Sequence, residues 1–346
     1  MKGALNKWSK NQAFWPVVIF LLILLLNAII SGGGFFKISI VDGHLYGSIV
    51  DIFRNGSKLM ILAAGMTMVL ATGGTDISVG SVMAISGAIA CSIVDQRIFP
   101  SAGGSVAVAV IVAIIAGIIC GVWNGLLVAK VKIQPIVATM ILLVAGRGIA
   151  QLITDGKIVT INSDAYYFIN GGYVFGLPFP LFIVIFLAGG LVLFVSKSSF
   201  GLFLESVGCN PTASKFAGIK VDTMLLVTYT ISGAFAAVAG LIESAGIKGA
   251  DCNNAGLNIE LDAILAVAIG GTNLMGGRFS IPASIVGALI VQSITTTVLT
   301  NGVPAAYIRV IKALLIIVIC LFQSDEFKSL FKTKKAFGKG KAVAQP

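Results

Sequence analysis

Residues 106–129 read VAVAVIVAIIAGIICGVWNGLLVA, a stretch of 24 residues without one charged side chain. As an α-helix rising about 1.5 Å per residue, the stretch is roughly 36 Å long and crosses a hydrocarbon core of about 30 Å. Lipid offers no partner to a backbone N–H or C=O, so the segment must pair these groups internally, as a helix does. Working outward, comparable runs recur at residues 14–30, 59–71, 82–94 and 135–153, then at 179–195, 223–246, 262–271, 281–299 and 309–322. The pattern predicts an all-α, polytopic membrane fold of about ten transmembrane helices. Residues 1–346 are expected to form a single transmembrane domain. No Ala-x-Ala-like cleavage pattern follows the first run, so it reads as a span and not as a signal peptide.

Composition agrees with lipid as the solvent. The chain is 57% hydrophobic and only 11% charged, with a mean hydropathy of +1.00, and soluble domains carry about twice that charge. The five cysteines (Cys91, Cys120, Cys209, Cys252 and Cys320) show no C-x-x-C spacing, and His44 is the single histidine. Zinc, haem and Cys/His nucleophile chemistry therefore lack material, and neither metal ligands nor catalytic residues are assigned. The net charge of +10 lies mostly in short segments beside apolar runs, which a membrane explains without nucleic acid.

Those basic residues also set an orientation, because Lys and Arg near span ends stay cytoplasmic. With the amino terminus inside, the inner face holds Lys2, Lys7, Lys10, Lys130, Lys132, Lys197, Lys215, Lys220, Arg278 and the basic tail of residues 325–346. Most acids, Asp42, Asp51, Asp95, Asp155, Asp164, Asp251, Glu260 and Asp262 among them, then fall outside, with fewer cations such as Lys58. Both termini are expected in the cytoplasm. Helix packing is expected at Gly117, Gly121 and Gly125, two overlapping G-x-x-x-G steps on one face, and at residues 233–240 (GAFAAVAG), since helices in lipid approach closely where side chains are short.

Two stretches point to function. Residues 206–219, SVGCNPTASKFAGI, spell a short helix outside the membrane: Asn210 suits the N-cap, Pro211 the first helical position and Gly218 the C′ stop. Ala213, Phe216 and Ala217 give it one apolar face. That face either rests on the protein's own surface or the lipid interface, or docks into a soluble partner. Residues 65–81, GMTMVLATGGTDISVGS, form a short apolar helix ending in Gly73, Gly74, Thr75 and Asp76, and residues 270–277 repeat the G-G-T-x-x-x-x-G pattern of 73–80. Glycine-interrupted spans in both halves mark a solute pathway, or else two tight turns of structural use. Thr75, Asp76, Thr272 and Asn273 are the pathway candidates on that basis, joined by the intramembrane amides and hydroxyls of Asn124, Thr139 and Gln292. Arg147 and Glu243, costly to bury, are expected to face the bundle interior, a cavity or a span end.

The sequence contains no G-x-x-x-x-G-K-[ST] loop, and GKGK at 338–341 has no strand before it. If nucleotide drives this protein, another chain hydrolyses it. Nor is there a G-x-S-x-G elbow or an H-E-x-x-H helix.

Three stretches, residues 65–81, 207–221 (VGCNPTASKFAGIKV) and 260–290 (ELDAILAVAIGGTNLMGGRFSIPASIVGALI), resemble the permease subunits of carbohydrate-uptake ABC importers of the ribose, galactose and galactofuranose type, a family extending to some nucleoside and autoinducer importers. The resemblance covers nearly the whole chain. It implies residence in the bacterial inner membrane and alternating access between two permease chains, identical or paralogous. It also implies a cytoplasmic ATPase subunit with two nucleotide-binding domains, on which ATP and Mg are bound, and an extracytoplasmic sugar-binding protein. No cofactor is expected on this chain. Within the segment 198–220, the resemblance makes Cys209, Asn210, Pro211, Thr212, Ala213, Lys215, Phe216, Ala217 and Gly218 the coupling helix that sits in the ATPase cleft. The sequence departs from the family at Cys209, where glycine is common, and at Thr75, where an apolar residue is usual. A stand-alone secondary transporter is the rival, and for it such a helix would be superfluous.

Overall fold

The computed structural model describes residues 14–30, 34–37, 39–41, 44–304 and 306–323. The basic tail of 325–346 and Lys2, Lys7 and Lys10, which weigh in the orientation argument, lie outside the described residues. Two compact units are present, residues 1–297 and 298–346.

In the first unit the helices are α1 (Phe14–Ile30), α2 (Ser48–Ala71), α3 (Val79–Val94), α4 (Val106–Ala129), α5 (Pro135–Ile153), α6 (Asp164–Gly171), α7 (Phe179–Lys197), α8 (Phe200–Cys209), α9 (Pro211–Phe216), α10 (Val221–Ile247) and α11 (Ile259–Ile269). Helix α12 (Ile281–Thr300) begins here and its last residues belong to the second unit, which continues through a turn into α13 (Ala306–Gln323). Three two-stranded antiparallel pairs trim the loops: Ser39–Val41 with His44–Tyr46, Val159–Thr160 with Gly249–Ala250, and Tyr173–Val174 with Leu177–Pro178.

Every expected span coincides with a helix, but not every one is a full crossing. Among the described residues five helices, α4, α5, α7, α10 and α12, are long and apolar enough by themselves to cross a membrane. The expected span at 262–271 is an 11-residue helix, about 16 Å long, and covers half a bilayer. The expected span at 59–71 starts earlier, at Ser48, and so takes in Asp51, Arg54 and Lys58. Lys58 therefore belongs to a span and not to an outer loop; its charge is met by Glu243 of α10 at 2.9 Å.

Helix α10 is the hub, packing on α2, α3, α4 and α6. Its contact with α4 is made by the small residues the sequence marked. A Cβ at Gly117 would lie 2.6 Å from the Gly233 carbonyl oxygen, one at Gly121 2.8 Å from Thr230 Cα, and one at Gly125 3.0 Å from Leu226 Cα. These glycines let two backbones touch, which is how helices gain packing energy where no hydrophobic effect drives them together. The faces of α4 and α5 turned away from the hub carry exposed Ile111, Ile119, Val144 and Leu152, as expected of surfaces facing lipid or another apolar chain.

Candidate functional site

The break between α2 and α3 is built around a carboxylate. Gly73, at φ +76, turns the chain out of α2, and Asp76 enters the packed interior with 2% exposure. Its Oδ1 accepts from Ser78 N at 3.0 Å and Ser78 Oγ at 2.6 Å, and its Oδ2 accepts from Ser232 Oγ of α10 at 2.8 Å. Asn124 Nδ2 of α4 donates to Ser78 Oγ at 2.8 Å. Thr139 Oγ1 of α5 accepts from Ile77 N at 3.3 Å, and Tyr229 OH donates to Thr75 O at 3.3 Å. A carboxyl at this depth persists because each oxygen is matched by donors, and the same bonds staple an irregular segment to three helices.

Four of the seven pathway candidates, Thr75, Asp76, Asn124 and Thr139, thus gather in one cluster. Thr272 and Asn273 lie elsewhere, after α11, with Thr272 fully buried and Asn273 Oδ1 accepting from Met275 N at 3.0 Å. Gln292 stands apart on α12 against Gly56, 3.4 Å from Thr296 Oγ1. Sequence reasoning missed Ser78 and Ser232. The first has a local signal, a serine two residues after an aspartate, whereas the second is 156 residues away from its partner.

The two glycine breaks meet. Gly277 N donates to Ala71 O at 2.9 Å, and a Cβ at Gly276 would lie 2.8 Å from both Gly73 N and Gly208 O. Gly208 closes the junction, lodged against Ala71 O and Gly277 N, so that only hydrogen fits at its Cα. Three chain segments, 71–73, 208 and 276–277, therefore share one backbone contact at the end of the bundle.

From that junction α9 projects. Asn210, at φ −159 and ψ 99, caps it by accepting from Ala213 N at 3.0 Å, Pro211 opens it, and Gly218 at φ +86 ends it, as the sequence reading placed them. Ser214, and not the apolar set, faces the protein body at 5% exposure. Cys209, Thr212, Ala213, Lys215 and Ala217 are exposed, and Phe216 is 89% exposed. The same end of the bundle carries Met275, 84% exposed, and the Lys132–Asp222 ion pair at 2.6 Å. Helix α8, which precedes α9 and which the sequence reading left inside the coupling segment, buries Gly201, Leu204 and Val207 at three-residue spacing.

The two costly charges are both partly buried, and each has a partner. Glu243 pairs with Lys58, and Arg147 Nη1 donates to the carbonyl oxygens of Cys252 at 2.9 Å and Ala255 at 2.6 Å. Among the described residues no group of three or more His, Cys, Asp or Glu is arranged to hold a metal ion.

Residues 48–320 match the family described as branched-chain amino acid transport system / permease component. The chain is 45% identical over 328 residues to a galactofuranose transporter permease protein of Escherichia coli strain K12, covering 93% of this chain and 94% of the relative. It is 36% identical over 352 residues to a fructose import permease protein of Bifidobacterium longum, covering 98% and 96%, and 33% identical over 308 residues to a ribose import permease protein of Haemophilus influenzae, covering 87% and 91%. No solved structure matches the chain. A match over most of the length, on a multi-pass helical membrane fold, makes this protein a member of the branched-chain amino acid transport system / permease component family.

Proposed function

We propose that the chain is the membrane-spanning subunit of an ATP-driven importer that moves a neutral monosaccharide into the cytoplasm by alternating access. The observation that carries the reading is α9: a capped six-residue helix that holds Phe216 89% exposed at one end of the bundle. An aromatic ring held in water on a helix fixed at both ends is poised for burial in a partner, worth about 2–3 kcal/mol on docking. The partner is a two-domain ATPase, which supplies the ATP and Mg chemistry this chain has no residues for.

The α9 end carries Lys130, Lys132, Lys215, Lys220 and Arg278, which supports placing it, and with it both termini, in the cytoplasm. The opposite end, with strand pairs at 39–46 and 173–178 and Phe175 at 95% exposure, is then available to a solute-binding protein. The sugar relatives named above, not the amino-acid wording of the family description, support the solute class. A core offering serine, threonine and asparagine suits polyols better than charged amino acids.

The test is Phe216→Asp in cells co-expressing a candidate two-domain ABC ATPase. Placing a carboxylate on the docking face removes the ring's burial and adds desolvation, so co-purification of the ATPase and sugar uptake both fall at least tenfold, at unchanged membrane level. Phe216→Leu restores most of both. Undiminished co-purification of Phe216→Asp overturns the assignment.

A further inference from the structure

The segment between α10 and α11 turns back along the bundle. Helices α3 and α10 run side by side in the same direction, since a Cβ at Gly240 would meet Met83 Cα at 2.7 Å and one at Gly87 would meet Ser244 Cβ at 3.2 Å. Both pairs differ by the same offset (240 − 83 = 244 − 87 = 157), which puts Gly80 level with residue 237. Gly256 touches Gly80, its Cβ position lying 2.8 Å from the Gly80 carbonyl oxygen. Ten residues separate 237 from Ile247 at the end of α10, so the chain descends about 15 Å from its anchor, the strand pair of Val159–Thr160 with Gly249–Ala250. Helix α11 then covers the remaining half, about 16 Å, ending at Gly270 against Ser284 of α12.

The descending residues are not a helix running through lipid. Asp251 Oδ1 accepts from Asn253 N and Asn254 N at 3.1 and 3.2 Å, and Asp251 Oδ2 accepts from Asn254 Nδ2 at 2.8 Å. Arg147 holds the carbonyls of Cys252 and Ala255, and Gln151 Nε2 donates to Asn253 Oδ1 at 2.7 Å. Asn253, Asn254 and Asn258 are nevertheless exposed on this chain. Amides and irregular backbone at half-bilayer depth are tolerated only against protein or a water-filled passage, never against acyl chains.

The geometry points to residues 251–258 as a wall of the solute route, presenting Asn253, Asn254 and Asn258 to a neutral, polyhydroxylated solute, with Arg147 as the positioning residue that holds the wall in shape. This rests on the permease reading above, and it places solute recognition on the half-depth segment and not on the glycine junction. Short discontinuous helices meeting irregular backbone near the midplane are where transporters generally put such sites.

The experiment uses the assembled transporter reconstituted with its ATPase and binding protein, each variant's labelling being read against that of the unsubstituted chain. Asn253→Cys, Asn254→Cys and Asn258→Cys are each treated with a small, membrane-impermeant methanethiosulfonate reagent. Labelling rates are expected to differ at least tenfold between nucleotide-free and ATP-bound states, and to drop when ribose, fructose or galactofuranose is present in whichever case is transported. Arg147→Gln should change the relative uptake of those sugars at unchanged ATPase association. Three inert cysteines in a complex that still binds its ATPase and transports would overturn the proposal while leaving the permease reading intact. Labelling at a rate indifferent to nucleotide and sugar would overturn it equally, and failure of ATPase association with the unmodified chain would strike the permease reading itself.

Discussion

Gly208→Ala is expected to loosen α9 from the rest of the bundle. Gly208 lies in the last turn of α8, and a methyl on its Cα would run into Ala71 O and Gly277 N, with Ala71 C only 3.0 Å away. The two atoms it strikes are the acceptor and the donor of one bond, Gly277 N to Ala71 O at 2.9 Å. Both are backbone atoms and cannot rotate aside, so the segments must part and the bond is lost. Stranding a buried backbone pair costs about 1–3 kcal/mol, and the crowding adds about 1–3 kcal/mol. The expected loss is therefore roughly 2–6 kcal/mol, read as a lower melting temperature of the detergent-solubilised chain with its ATPase. Uptake should fall at least tenfold even in the fraction that folds, because α9 is displaced from its anchorage. Gly189→Ala, on the outward face of α7 with open space around it, is the control and should be neutral. If Gly208→Ala melts and transports like Gly189→Ala, the junction does not hold α9.

Two further outcomes follow from the same packing. Gly121→Ala puts a methyl 2.8 Å from Thr230 Cα and should destabilise the α4–α10 contact by about 1–3 kcal/mol, seen as a lower melting temperature, against no change for Gly189→Ala. Lys58→Met leaves the Glu243 carboxylate without its cation; with the pair at 34% and 18% side-chain exposure, the cost is expected between that of an exposed pair and that of a buried one, about 1–3 kcal/mol. The double variant Lys58→Met/Glu243→Gln should recover most of that stability, and a double variant no more stable than the single one would mean that the charges do not interact.

What could be read from the sequence was what is encoded locally. The bounds of α4 and α5 are marked by Lys130 and Pro135, and α9 by the cap and stop residues on either side of it, so these elements were legible to the residue. The start of α2 was not, because Asp51, Arg54 and Lys58 look like loop residues until Glu243 is brought to Lys58 from 185 positions away. The candidate cluster was half legible. A glycine break followed by a carboxylate announces Asp76, but nothing near Ser232 says that its hydroxyl answers that carboxylate. The length of α11 was not legible either: it is as apolar as a span, and hydropathy cannot tell half a crossing from a whole one.

The position of α11 gives the two ends of the molecule a mechanical connection. One of its ends leads within a few residues to Gly276 and Gly277, which are in backbone contact with Gly208 beside α9; the other begins at the 251–258 segment, whose asparagines are exposed. A helix of 11 residues is stiff over about 16 Å, so a shift of α9 has a short path of packed backbone along which to reach the solute-facing wall. Coupling through such a path requires each contact in series to transmit the displacement. Nucleotide-dependent labelling of Asn254→Cys should therefore disappear in the Gly208→Ala background while the thiol stays reactive, because the wall remains but no longer receives the movement. Nucleotide dependence that survives Gly208→Ala unchanged would show that the signal reaches residues 251–258 by another route, and α11 would then be a structural half-span only.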